Sequence, residues 1–219
     1  MILEHLSALN QHRLLLASAS PRRKEILQNL GLRVEVVPSS FEENLDKASF
    51  RNGAAYAQAT ALAKAQEVAS RNWPQQSLPS LIIGADTVVE QDGCILEKPA
   101  DASDAHDMLS RLSARVHQVH TGVALIVPSN AGQGHSGVQR SFAVTTGVDF
   151  AALSSSEIAA YIATGEPFGK AGAYGIQGPA GAWVKQIRGD YFSVMGFPVH
   201  AFAAEVASLL KQGLFPSVR

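Results

Sequence analysis

The chain has 219 residues, 46% apolar and 17% charged, with 18 basic against 19 acidic side chains and a formal net charge of -1. That length suffices for one substantial core, and the balanced charge without a basic block excludes an extended nucleic-acid surface. Cys94 is the only cysteine, which excludes an intrachain disulfide and a thiolate zinc cluster.

Taken in chain order, residues 13–18 read as a buried strand and 21–30 as a helix. Between them lies Ser18-Ala19-Ser20-Pro21-Arg22-Arg23. Proline suits a first helical turn, where the N–H it lacks would be unpaired. The free N–H groups of that turn, with guanidinium groups beside them, suit phosphate oxygens. Residues 32–37 read as a second strand, followed by an acidic turn containing Glu42 and Glu43. The alanine-rich stretch 51–71 reads as a long helix, because little in it breaks one. On that helix the default reading of Lys64 is a surface lysine.

Residues 73–80 read as a linker and 81–85 as a central strand, with Asp86 and Thr87 at its exit. A carboxylate at the end of an apolar strand lies where α/β enzymes keep their sites. Asp86 reads as a metal ligand, a base or both, with a capping or turn aspartate as the plain alternative; Glu43 and Glu42 could join it if the two strand ends are neighbours, or form a solvated acidic loop. Hard oxygens of this kind hold a divalent cation against phosphates. Lys98, after a short hairpin, offers a point charge to a phosphate.

An amphipathic helix is expected over 101–111, capped near Asp101 or Ser103, with Arg111 and Arg115 near its end. Strands are expected over 116–127 and 142–150, joined by an exposed, mobile loop over 128–139. His117 and His120 point to opposite faces of a strand, and each reads as a satisfied structural histidine. Residues 154–163 form a short helix with a capping box from Ser154 to Glu157. The stretch 165–182 carries six glycines, which allow close approach of backbone to ligand. Within it Lys170 could reach a ligand, Gln177 could read a base edge, and Tyr174 is by default a core aromatic. A closing helix is expected over 197–210. Helices and strands mix throughout, which predicts an α/β fold. No apolar run is long enough to span a membrane, and the opening residues lack a signal-peptide pattern. A cytoplasmic setting without membrane or nucleic-acid partners is the expectation.

Several separated motifs, in order, resemble the Maf family of nucleoside triphosphate pyrophosphatases. They are Ser18 to Arg23, Glu42-Glu43, Gly84-Ala85-Asp86-Thr87, Glu97-Lys98-Pro99, Met108 to Ser113, Lys170 to Gly178, Gly189-Asp190-Tyr191 and Val194 to Pro198. The resemblance covers about residues 12–205 and treats 1–219 as a single domain. It implies a mixed twisted sheet with flanking helices and two lobes around a cleft, as in inosine-triphosphate pyrophosphatases. It also implies hydrolysis between the α and β phosphates of dTTP or UTP, a divalent cation (magnesium, manganese or cobalt) and a homodimer. Asp86 matches the family's proton acceptor. Arg22, Thr87 and Gln177 match positions tied to pyrimidine selectivity, and Arg23, Glu43, Lys64 and Lys98 match charged cleft positions. On this reading Asp86 and Glu43 hold the metal, Ser18 and Ser20 position the triphosphate, and Gln177 and Thr87 face the base. The chain departs from many relatives at Gly169, where they carry an aspartate. Two other readings stay open: a pyrophosphatase for modified nucleotides, and a nucleotide-binding protein without turnover.

Overall fold

The computed structural model describes residues 2–71, 73–74, 78–128 and 137–215. Seven helices and seven strands alternate along these residues: α1 (Leu6–Leu9), β1 (Leu14–Leu16), α2 (Pro21–Asn29), β2 (Val34–Val36), α3 (Gly53–Ala69), β3 (Leu81–Gln91), β4 (Cys94–Leu96), α4 (Ala102–Leu112), β5 (Val116–Val127), β6 (Val138–Phe150), α5 (Ser155–Ala163), β7 (Val184–Arg188), α6 (Tyr191–Met195) and α7 (Val199–Lys211). The strands form one mixed sheet in the order β2-β1-β3-β5-β6-β7, with β4 on β3. This is the expected α/β architecture. The mobile loop expected over 128–139 falls mostly outside the described residues, as does part of the 73–80 linker. No described helix is long and apolar enough to cross a membrane.

Strand alternation divides the sheet into two faces. On one, Leu14, Leu16, Leu81, Ile83, Ala85 and Val123 pack under α2 and α7. Further along the same face, Val89, Val119, Val148 and Phe150 pack with Leu109 of α4 and Ile158 of α5. Two apolar cores thus share one face. On the opposite face Leu15, Ile82, Ala124 and Ile126 meet Ala61, Ala65 and Val68 of α3.

Close packing of α3 on that second face follows from its small residues. Ala57, Ala61 and Ala65 recur every fourth position and are fully buried, as a helix stripe requires. The sheet answers with glycines. A Cβ added at Gly84 would fall 2.2 Å from the Ala61 carbonyl oxygen, and one at Gly122 would fall 2.2 Å from that of Ala57. The α3 backbone can rest on the sheet only because both positions lack a side chain.

One edge of β3 is left open at its middle. Strand β1 pairs with it as far as Leu16 opposite Ile83, and β4 begins at Leu96 opposite Val89. The other edge is covered by β5 from Ile82 to Glu90. A notch therefore exposes the edge of β3 around residues 84–88, just past the carboxyl end of β1. Crevices beyond strand ends of this kind are where open α/β sheets bind ligands.

Local signals explain most element ends. Ser20, Asn52, Asp101, Ser154 and Asp190 each cap a helix through the side chain. The capping box of Ser154 and Glu157 is present as expected. Strand β7 and helix α6 are absent from the sequence reading. Each has five residues, too short for a periodic signal.

Candidate active site

A cleft of about 690 Å³ opens at the notch. Four segments wall it: residues 17–23 after β1, Asp86 and Thr87 on β3, 166–171 after α5, and 194–196 at the end of α6. Ser39, Phe41, Glu43, Lys64 and Lys98 complete the charged side.

Asp86 and Thr87 are consecutive, so their side chains leave opposite faces of β3. Asp86 turns toward α3. The residue is 6% exposed, and its Oδ1 accepts from Lys64 Nζ at 2.8 Å. The same ammonium lies 3.0 Å from Oε1 of Glu43, and Lys98 Nζ lies 3.4 Å from that oxygen. Two carboxylates and two ammonium groups thus form one connected cluster. Burial pushes the Asp86 carboxyl above the usual range, against the pull of Lys64 and Arg23. Burial also pushes Glu43 up, but Lys64 and Lys98 together outweigh it and hold Glu43 low.

The surface reading of Lys64 is corrected here. Lys64 is 8% exposed and sits on the buried stripe of α3 with Thr60, Ala61 and Val68. A stem buried along apolar surface with its charged head at a polar opening suits lysine. The sequence carries this signal in the spacing of Thr60, Lys64 and Val68, four residues apart.

Thr87 faces the other way, between the two cores. Its hydroxyl lies 2.9 Å from that of Thr121, which donates to the Ser193 carbonyl at 2.8 Å. The Thr121 proton is thereby committed, so Thr87 donates to Thr121 and accepts from Arg23 NH2 at 3.0 Å. Arg23 also donates to the Ser18 hydroxyl at 3.0 Å and the Gly196 carbonyl at 2.9 Å. One guanidinium therefore ties the first turn of α2, the middle of β3 and the end of α6 together. Ser20 accepts from the Arg23 backbone N–H and lines the cleft with Arg22.

Supporting contacts hold the acidic segment in place. Glu67 of α3 accepts from the Ser39 and Ser40 hydroxyls at 2.8 and 3.0 Å. Its carboxyl is held at about 2, chiefly by the Arg71 guanidinium. These bonds dock the turn leading to Glu43 on α3. Beside Lys98, Glu97 accepts from the Tyr56 hydroxyl at 2.7 Å and pairs with Lys47 at 2.5 Å.

On the far wall Lys170 donates to the Glu166 carbonyl and pairs with its Oε1 at 3.2 Å. Gly169 has a φ of +77 with open space where a side chain would stand. Glu166 orients Lys170 here. Gly175 is pressed against Lys170 and Arg22: an added Cβ would lie 2.9 Å from Lys170 Cε and 3.1 Å from Arg22 NH1.

Of the residues singled out from the sequence, Ser18, Ser20, Arg22, Arg23, Glu43, Lys64, Asp86, Thr87, Lys98 and Lys170 all line this cleft. Gln177 does not: it is exposed on a turn beyond the lining. Glu42 is exposed, and Arg115 pairs with Asp92 at 2.6 Å, away from the cleft. The histidines are structural, as expected. His117 lies 2.8 Å from the Tyr174 hydroxyl, and His120 lies 2.9 Å from Thr145 Oγ1 on the opposite face. Sequence reasoning missed Phe41, Glu166 and Phe168 as site residues, whose signals lie in loops; the end of α6 enters the sequence reading only within the family motif Val194 to Pro198.

Among the described residues no three His, Cys, Asp or Glu side chains gather as a metal site. Asp86 and Glu43 still fit a hard cation of the magnesium type, which takes one or two carboxylates and completes its shell with phosphates and water. Both converge on one Lys64 nitrogen.

Comparison with known proteins agrees with this geometry. Residues 13–209 match the Maf family, described as Maf-like protein. The chain is 48% identical over 198 residues to a human probable bifunctional dTTP/UTP pyrophosphatase/methyltransferase protein, covering 90% of this chain but only 32% of that protein. It is 47% identical to the dTTP/UTP pyrophosphatase of Thermococcus gammatolerans, covering 85% of this chain and 91% of that one. The dTTP/UTP pyrophosphatase of Chromobacterium violaceum is 44% identical, over 90% of this chain and 95% of its own. With residues 13–209 matched by the family and two of these relatives covered over more than nine-tenths of their length, the chain belongs to the Maf family.

Proposed function

We propose that this chain hydrolyses dTTP and UTP between the α and β phosphates, releasing the nucleoside monophosphate and pyrophosphate. The observation that carries the reading is the convergence of Arg23 and the α2 N-terminus with the Lys64–Asp86–Glu43 cluster in one cleft. The names of relatives similar over more than 85% of their length supply the substrate class.

The roles follow from placement. Arg22 and Lys98 face the cleft and offset the charge of a triphosphate. Preorganised cations of this kind stabilise charge developing in the transition state. The Ser18 and Ser20 hydroxyls and the first N–H groups of α2 orient phosphate oxygens. Arg23, held by three partners, fixes that wall rather than reaching out. Asp86 receives the proton of the attacking water, and Lys64 holds its Oδ1 in position. Asp86 and Glu43 would hold a magnesium, manganese or cobalt ion, which when bound supplies Lewis-acid stabilisation of phosphate charge.

The family reading also carries a single domain over 1–219, a homodimer and a cytoplasmic location, with no nucleic-acid or membrane partner. Sedimentation velocity and cell fractionation test the last three. The activity is tested by pyrophosphate release from dTTP, UTP, CTP and purine triphosphates, with and without each metal after chelation. Release from dTTP and UTP above the rest supports the reading; no release from any nucleotide refutes it.

A further inference from the structure

The cleft is not uniformly suited to phosphate. Three carboxylates line it: Asp86, Glu43 and Glu166. The first two share the Lys64 ammonium. Glu166 stands on a different wall with Lys170 as its cation. A carboxylate facing a triphosphate without a metal between them repels it, so Glu166 is placed for something other than phosphate. It is also held in place. The Gly165 and Gly169 turns, with φ of +75 and +77, bracket it. Lys170 grips both its carbonyl and its Oε1. Its carboxylate rests directly on Gly178: a Cβ added there would fall 2.6 Å from Oε1. Two residues on, Phe168 lines the same wall with 43% of its surface exposed. An exposed aromatic ring beside a fixed acceptor suits a heterocycle that carries an N–H donor.

We infer that Glu166 is a specificity-determining residue, whose carboxylate accepts the ring N3–H of a uracil or thymine base stacked against Phe168. The inference rests on the triphosphate reading above and adds the group that reads the base. Uracil and thymine present N3–H between two carbonyl oxygens. The Lys170 ammonium beside the carboxylate matches one of those oxygens. Cytosine presents a bare N3 lone pair at the same point, which faces the carboxylate unfavourably. A site built to bond a donor discriminates against an analogue that presents a lone pair at the same point.

The test is binding, so that it stands apart from turnover. The probes are α,β-imido-UTP, which resists hydrolysis at the reacting bond, and its N3-methyl derivative, which has lost the donor. Calorimetry on the wild-type protein should show the parent binding tighter by about 10- to 100-fold, the range of a charged hydrogen bond. Glu166→Ala should bring the two affinities close together by weakening the parent alone. Glu166→Gln keeps the volume and a weaker acceptor, and should give an intermediate ratio. If Glu166 serves only to position Lys170, both variants weaken both probes equally and the ratio stays at the wild-type value, which overturns the proposal. Equal binding of the two probes to the wild type also overturns it. Pyrophosphate release from UTP by the same wild-type sample reports separately on the catalytic reading.

Discussion

Two acidic side chains on the α3 face of β3 have basic partners, and they differ in what surrounds them. Glu90 lies 3.2 Å from His120 Nε2 and accepts from the Gly53 backbone N–H at 2.5 Å, the first N–H of α3. His120 is closed off by Thr145, and burial lowers its pKa although Glu90 pulls upward. Asp86 lies four residues earlier with Lys64, but its cluster extends to Glu43 and Lys98 and lines the cleft. The first pair is completed by backbone and hydroxyl groups and anchors a helix end. The second is completed by other charged side chains at an opening, where a ligand can exchange with them. The same chemistry on the same strand is thus structural at one position and available for reaction at the other.

The contrast breaks most sharply at Asp86. Asp86→Asn should cut pyrophosphate release by about 100- to 10,000-fold, the span of a lost general base, while the folded fraction by circular dichroism stays near wild type. Near-normal release would move the chemistry elsewhere. Next comes the packing that both pairs share. Gly122→Ala places a methyl group 2.2 Å from the Ala57 carbonyl oxygen, so α3 must lift off the sheet. We expect about 3 kcal/mol of lost stability in denaturant melts, together with loss of activity as Lys64 leaves Asp86. A variant with unchanged stability would show that the contact yields easily.

Glu90→Ala sharpens the comparison from the other side. It strips the first N–H of α3 of its acceptor and takes the carboxylate from beside a buried histidine, a loss of about 2 kcal/mol. Turnover per folded molecule should stay near wild type; a selective fall in turnover at unchanged stability would make Glu90 part of the reaction. The smallest effect is expected behind the sheet, at His117. Burial holds its pKa at about 4 in the fold against 6.5 for the free side chain. Between those values the unfolded chain takes up a proton that the folded chain refuses. The stability is therefore whole above pH 6.5, declines as pH falls toward about 4, and levels off below. His117→Gln, which can still meet the Tyr174 hydroxyl, should flatten that decline in melts taken across the window. An unchanged slope would assign the acid sensitivity to other groups.

The sequence was most legible where one residue does one job. Proline after two serines marks the start of α2. The apolar run before Asp86 marks β3, but the strand runs on to Gln91, so Asp86 lies at mid-strand and not at the exit expected of it. Asp101 and Ser154 cap the helices expected of them. Legibility failed where a role depends on tertiary contact. Lys64 reads as a surface lysine by default and joins the cleft only through the family resemblance, until Gly84 and Gly122 show how close α3 lies. Gln177 reads as a base contact from its glycine-rich setting, yet its turn carries it past the cleft. Glu166 and Phe168 reach the site on a loop whose course no periodicity encodes. The polar seam of Thr87, Thr121 and Ser193 between two apolar cores joins two strands and a helix far apart in sequence, so no local pattern reveals it.

The central claim is that a triphosphate lies in the notch between β1 and β4, against both the start of α2 and Asp86. A crystal structure with α,β-imido-dTTP and magnesium tests it directly. The account predicts phosphate oxygens beside Ser18, Ser20 and Arg22, with the α-phosphorus facing Asp86. A nucleotide whose phosphates lie outside that notch, with the Lys64–Asp86–Glu43 cluster untouched, would contradict it.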